Sequence, residues 1–213
     1  MNENANYVTS FQQFLPPPFA TPGRRHRIAN AVEVEEEALA GFNGLIGSLG
    51  WQRAPLTADQ LATAARAAAP RPGTSSRYID LQLDRGRDLS RMLDERDWEP
   101  ANDAASAARS VVAYLQREDG LIPNWVPGVG QLDDALVVET AWPRVAAEVL
   151  DFQDFCRIRG IEALMRGEEA GSFAFGRSQW LEARRAEALL RAQQRVLRGR
   201  FRSEASLPQF RVH

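Results

Sequence analysis

Hydrophobic positions along this chain recur mostly at spacings of three and four, the interval that stacks side chains on one face of an α-helix. Leu39, Phe42, Leu45, Ile46 and Leu49 form the first such stripe, and Gly50 follows as a natural stop. Thr57-Ala58-Asp59-Gln60 reads as a capping box, with Thr57 accepting from a free backbone N–H and Gln60 reaching back. The alanine-rich helix that it opens should end before Pro70. Tyr78, Ile79, Leu81 and Leu83 alternate partly, as in a short strand, but the run through Leu89, Met92 and Leu93 has the helical period. Another helix is predicted from about Asp103 to Arg117, with Ala108, Val111, Val112 and Leu115 inward. From about Asp133 a further helix passes through Ala135, Leu136 and Val138; Pro143 should kink or restart it before it resumes from Val145 through Cys156. Ser178 to Arg202 is the last long helical stretch, with Leu181, Ala188, Leu189, Ala192, Val196 and Leu197 on one face.

Turn signals do not recur at hairpin spacing, so the expected fold is all-α: an irregular helical bundle with an extended N-terminal arm and a long C-terminal helix. The arm covers residues 1–31, where the Pro16-Pro17-Pro18 run disfavours helix. A helical segment follows over 32–72, then a helical core over 73–176, then the arginine-rich helix and tail over 177–213. Pro70-Arg71-Pro72-Gly73 is the best candidate for an internal boundary.

Composition narrows the function classes. A chain of 213 residues can bury a self-sufficient core without disulfides or metal. Its formal net charge of −2 argues against a protein that mainly coats nucleic acid. All 26 basic residues are arginine, which reads as codon bias of a GC-rich genome. The single cysteine, Cys156, excludes an internal disulfide and a cysteine-rich zinc site. The N-terminus lacks the charged start and apolar run of a secretory signal, and no stretch has the length of a membrane span. A cytoplasmic protein with no transmembrane segment is expected.

Residues 119–138 read Asp-Gly-Leu-Ile-Pro-Asn-Trp-Val-Pro-Gly-Val-Gly-Gln-Leu-Asp-Asp-Ala-Leu-Val-Val. Ile122, Pro123, Pro127, Gly130, Asp133 and Asp134 resemble the hallmark of the YkvA-like family, domain of unknown function 1232, a bacterial family with no established activity to lend. The pattern is Asp-x-Ile-Pro-Asp, a second proline, a glycine, and an Asp-Asp pair opening a helix. Gly120 and Asn124 stand where the family usually has aspartates, and the resemblance spans roughly residues 105–160. Physically the segment reads as architecture. Pro123 and Pro127 fix a turning loop, Gly128 and Gly130 allow unusual backbone angles, and Asp133 and Asp134 sit where free N–H groups favour carboxylates. The chemical alternative is a cation site or carboxylate acid–base pair from Asp119, Asp133 and Asp134, although adjacent helical residues point about 100° apart.

Other chemistry has little material. The two histidines, His26 and His213, stand in the arm and at the last position. Cys156, beside Phe152 and Phe155, reads as a small packed residue. Gly128-Val129-Gly130 lacks the third glycine and the βαβ setting of a dinucleotide fingerprint. From Arg177 to Arg202 eight arginines face only Glu182 and Glu187. That helix is read first as a solvated face, one that could pair with the acidic Glu33–Glu37 run. Read functionally, Arg184, Arg191, Arg195 and Arg198 would bind an anion, as in peripheral contact with anionic membrane or nucleic acid. The leading expectation is a non-enzymatic interaction or regulatory protein that docks a protein partner, with no cofactor. Pairing of the arm and last helix between two chains would give a homodimer.

Overall fold

The computed structural model describes residues 10–15, 27–28, 32–69 and 76–204, with the backbone alone at 27, 28, 32 and 199–204. The Pro16–Pro18 run, His26, the Pro70–Gly73 boundary and His213 lie outside the described residues. The chain is all-α. Its helices are α1 (Glu36–Leu49), α2 (Ala58–Ala68), α3 (Arg77–Asp94), α4 (Asn102–Leu115), α5 (Leu132–Arg166) and α6 (Arg177–Glu204). A 3-10 turn at Phe11–Phe14 precedes a minimal antiparallel pair of two-residue strands, β1 (Arg27–Ile28) and β2 (Val32–Glu33). No helix among the described residues is long and apolar enough to cross a membrane.

The described residues divide into two compact units. One comprises those up to Arg96 together with Pro100–Leu150; the other comprises Asp97–Glu99 and those from Asp151 onward. The division passes through α5, which contributes to both.

In the first unit, local signals place the helix ends. Gly50 adopts φ 119°, and the N–H groups of Gly50 and Trp51 return to the Ile46 carbonyl at 3.1 and 2.9 Å. A side chain at that angle would be strained, which is why glycine closes α1. Asn43 then clamps the following loop, donating to the Leu56 carbonyl at 2.9 Å and accepting from the Leu56 N–H at 2.8 Å. The capping box of α2 forms as the sequence predicts: Gln60 N–H donates to Thr57 Oγ1 at 3.2 Å, and Thr57 N–H donates to Gln60 Oε1 at 3.0 Å. Thr57→Ala is expected to cost about 1 kcal/mol, read as a lower urea midpoint with unchanged slope.

Residues 78–83, which alternate like a short strand, belong to α3. Its buried positions Tyr78, Ile79, Gln82, Gly86, Leu89 and Met92 follow the helical period, so the core face overrides the local alternation. α3 packs on α4, and α2 packs on β1 and on the 3-10 turn. Gly86 permits close approach, since a Cβ there would meet Leu115 Cδ1 at 2.8 Å and Val138 Cγ2 at 3.5 Å.

α5 is one helix of 35 residues that continues through Pro143 instead of restarting there. Proline removes one backbone hydrogen bond and costs about 3 kcal/mol in a helix interior. Burial outweighs it: Ala141 and Val145 flank the proline fully buried, and Leu132 through Val138 are buried all round.

The second unit gathers aromatic rings. Trp98 meets Phe155 at 5.1 Å, Trp180 at 5.2 Å and Phe152 at 6.0 Å between centroids, and Phe155 stacks on Phe175. Trp180 is a core residue whose indole N–H donates to Asp154 Oδ2 at 2.9 Å. The guanidinium of Arg177 lies 4.4 Å from the Trp98 ring, and that of Arg159 lies 5.0 Å from the Phe155 ring.

Candidate functional site

Two features carry the acidic and basic residues picked out by the sequence: the loop entering α5, and the exposed helix α6.

The loop over 119–131 is a succession of turns. Val126 N–H donates to the Pro123 carbonyl at 3.0 Å, Gly130 N–H to the Val126 carbonyl at 2.9 Å, and Leu132 N–H to the Val129 carbonyl at 3.0 Å. Gly128 has φ 78°, and a Cβ on Gly130 would lie 2.6 Å from the Asn124 carbonyl oxygen. Ile122, Val126 and Val129 point inward and are buried, while Trp125 between them is 67% exposed.

Asp133 and Asp134 are the second and third residues of α5, and only Asp133 is tied to the loop. Its Oδ2 accepts from the Tyr114 hydroxyl at 2.7 Å and from the Ile122 N–H at 3.1 Å. The Tyr114 oxygen in turn accepts from the Leu121 N–H at 3.2 Å. This network joins the end of α4, the loop and the start of α5. Its role is thus closure across the chain as well as a favourable charge at a helix start. Asp133 Oδ1 is buried without a hydrogen-bond partner.

Burial pushes the Asp133 carboxyl above its ordinary value, against the opposing pull of Tyr114 and the Ile122 N–H. For Asp134, 8% exposed, burial and then the neighbouring Asp133 charge push the carboxyl up to about 7. Burial and the adjacent carboxylate likewise raise the Tyr114 hydroxyl. Asp119 is not brought to the pair: it is exposed and pairs with Arg117 at 3.2 Å, which holds its carboxyl below the usual range. Among the described residues no three His, Cys, Asp or Glu side chains come together to hold a metal ion.

A second carboxylate centre was not legible in the sequence. Glu139 Oε1 accepts from the Ser10 hydroxyl at 2.6 Å, and its Oε2 accepts from the Phe11 N–H at 2.7 Å and the Tyr78 hydroxyl at 2.6 Å. Phe11 is fully buried, so the 3-10 turn is fastened both by packing and by charge-assisted hydrogen bonds. Burial and then Glu139 raise the Tyr78 hydroxyl. Ser10 lies 129 residues from Glu139, a separation at which no local pattern announces a contact.

On α6 the four arginines Arg184, Arg191, Arg195 and Arg198 fall within an arc of about 60° at 100° per residue. Arg184 pairs with Asp154 at 3.3 Å and Glu187 at 3.1 Å, and Arg191 pairs with Glu187 at 2.6 Å. Arg195 and Arg198 form no ion pair among the described residues. From Ala186 to Arg198 the remaining arc of about 200° carries Ala188, Ala192, Val196, Leu189, Leu197 and Leu190, broken only by Gln193. These residues are all exposed, Leu189 at 65%. The apolar stripe read from the sequence therefore exists, and its residues are exposed.

No protein-family model matches the chain, and no curated protein and no solved structure matches it either.

Proposed function

We propose that this chain is a cytoplasmic, non-enzymatic interaction protein that docks a protein partner along α6. The observation that carries this reading is the exposed apolar arc of α6 between Ala186 and Arg198, a stretch whose own charged residues lie on the opposite side. A contiguous exposed apolar face on a helix has a cost in water unless a partner covers it. An amphipathic helix offered in this way is a recurring recognition element.

The acidic residues of the α5 entrance support a structural role over a chemical one. Asp133 is engaged by Tyr114 and the Ile122 N–H, and Asp119 by Arg117. A YkvA-like affiliation of residues 119–138 belongs to the same proposal, with the paired aspartates closing the loop onto α5. A cation site would instead reveal itself as thermal stabilisation by divalent ions, and none is expected.

The test is affinity capture of the tagged full chain from its native host, beside the triple variant Leu189→Gln, Leu190→Gln, Leu197→Gln. These side chains are exposed, so the variant should melt as the parent does. A stoichiometric protein retained by the parent and lost from the variant is the expected result. Equal retention by both would remove α6 from the reading.

A further inference from the structure

The partner of α6 can be narrowed by charge, and the argument rests on the docking role proposed above. α6 needs a surface with an apolar floor and carboxylates at its border. The first unit has one. A groove beside α1 is lined by Glu35, Glu37, Ala38, Gly41, Phe42 and Leu45, and also by Arg117 and Asp119, which pair with each other. Glu33, Glu35, Glu36 and Glu37 are exposed, and none forms an ion pair among the described residues.

Among the described residues the chain thus presents two exposed surfaces of opposite character, a basic amphipathic helix and an acid-edged groove. We propose that α6 of one copy lies in the α1 groove of a second copy, and reciprocally, closing a two-fold dimer. In such a pair each contact is made twice and no sticky end is left over. The alanine-rich side of α6, with Ala188 and Ala192, suits close approach to the groove floor at Ala38 and Gly41. Arg191, Arg195 and Arg198, at the edge of that side, then reach the carboxylates.

The experiment is sedimentation equilibrium of the full chain at low and high salt, with two charge-reversed variants. One carries Glu35→Arg, Glu36→Arg and Glu37→Arg; the other carries Arg191→Glu, Arg195→Glu and Arg198→Glu. The parent is expected to be dimeric at about 50 mM salt, with its dissociation constant raised about tenfold or more at about 500 mM. Each variant alone should be monomeric, with circular dichroism like that of the parent. Mixing the two should restore a 1:1 dimer, because both reciprocal contacts regain opposite charges.

A parent that stays monomeric across concentrations and salts overturns the self-pairing. So does a mixture that fails to associate. Arginine-dependent binding of a monomeric parent to vesicles of anionic phospholipid would likewise overturn it in favour of a lipid surface. The docking role itself would fall separately, through equal capture by the leucine variant described above.

Discussion

Gly130→Ala is expected to lower the stability of the first unit by about 3 kcal/mol, among the larger effects of a single added methyl group. The new Cβ would lie 2.6 Å from the Asn124 carbonyl oxygen and 2.8 Å from that of Pro123. Those atoms are backbone and have little freedom to move. Pro123 restricts its own φ, and the Ile122 N–H beside it is held by Asp133. The melting temperature should fall by roughly 6–12 °C. Gly44→Ala supplies the contrast: a Cβ there has nothing within 4 Å, so alanine should be neutral or stabilise α1 by up to about 1 kcal/mol. Equal melting temperatures for the two variants would mean that the loop adjusts and that Gly130 is not a packing requirement.

Asp134→Asn is expected to reshape the pH dependence of stability. Burial and then the Asp133 charge raise the Asp134 carboxyl from 3.8 to about 7 in the folded chain. The folded state therefore holds this proton more tightly than the unfolded state does. Its contribution is fully present below about pH 4, is lost as pH rises through 7, and stays lost above that. A shift of this size would correspond to about 4 kcal/mol for a fully desolvated group, reduced to roughly 1–2 kcal/mol by solvent screening. The difference between variant and parent is the quantity to follow: near zero at pH 4, and roughly 1–2 kcal/mol in favour of the variant at pH 8. Asp133, also raised, shifts in the same direction and would steepen the parent's loss. A constant difference across that range would place Asp134 in a more solvated setting than the structure gives it.

Much of the fold could be read from nearest neighbours, because its signals are local. Gly50, Thr57 with Gln60, and the apolar stripe of α1 each act within one or two helical turns, and all were legible. At Pro143, where the sequence allows a kink or a restart, the restart does not occur. The local rule prescribes a kink or a restart, and it takes no account of the full burial of Ala141 and Val145. The candidate site divides in the same way. The paired aspartates, prolines and glycines could be picked out by their spacing. That Asp133 reaches Tyr114, 19 residues back, could not be, nor could the seat of Phe11 and Ser10 on Glu139. On α6, periodicity identified an apolar face but could not say whether the chain itself supplies a cover. A stripe of leucines looks the same in a core and at an interface.

The brief excursion Asp97–Glu99 has a bearing on how this protein can be made and cut. Trp98 is the ring around which Phe152, Phe155 and Trp180 assemble, yet it is translated long before them and is flanked on both sides by sequence of the other unit. On the ribosome that indole must wait, exposed, until α6 has emerged. A C-terminal fragment beginning at Asp151 would be born without its keystone, so the second unit cannot be inherited, fused or excised as one continuous cassette.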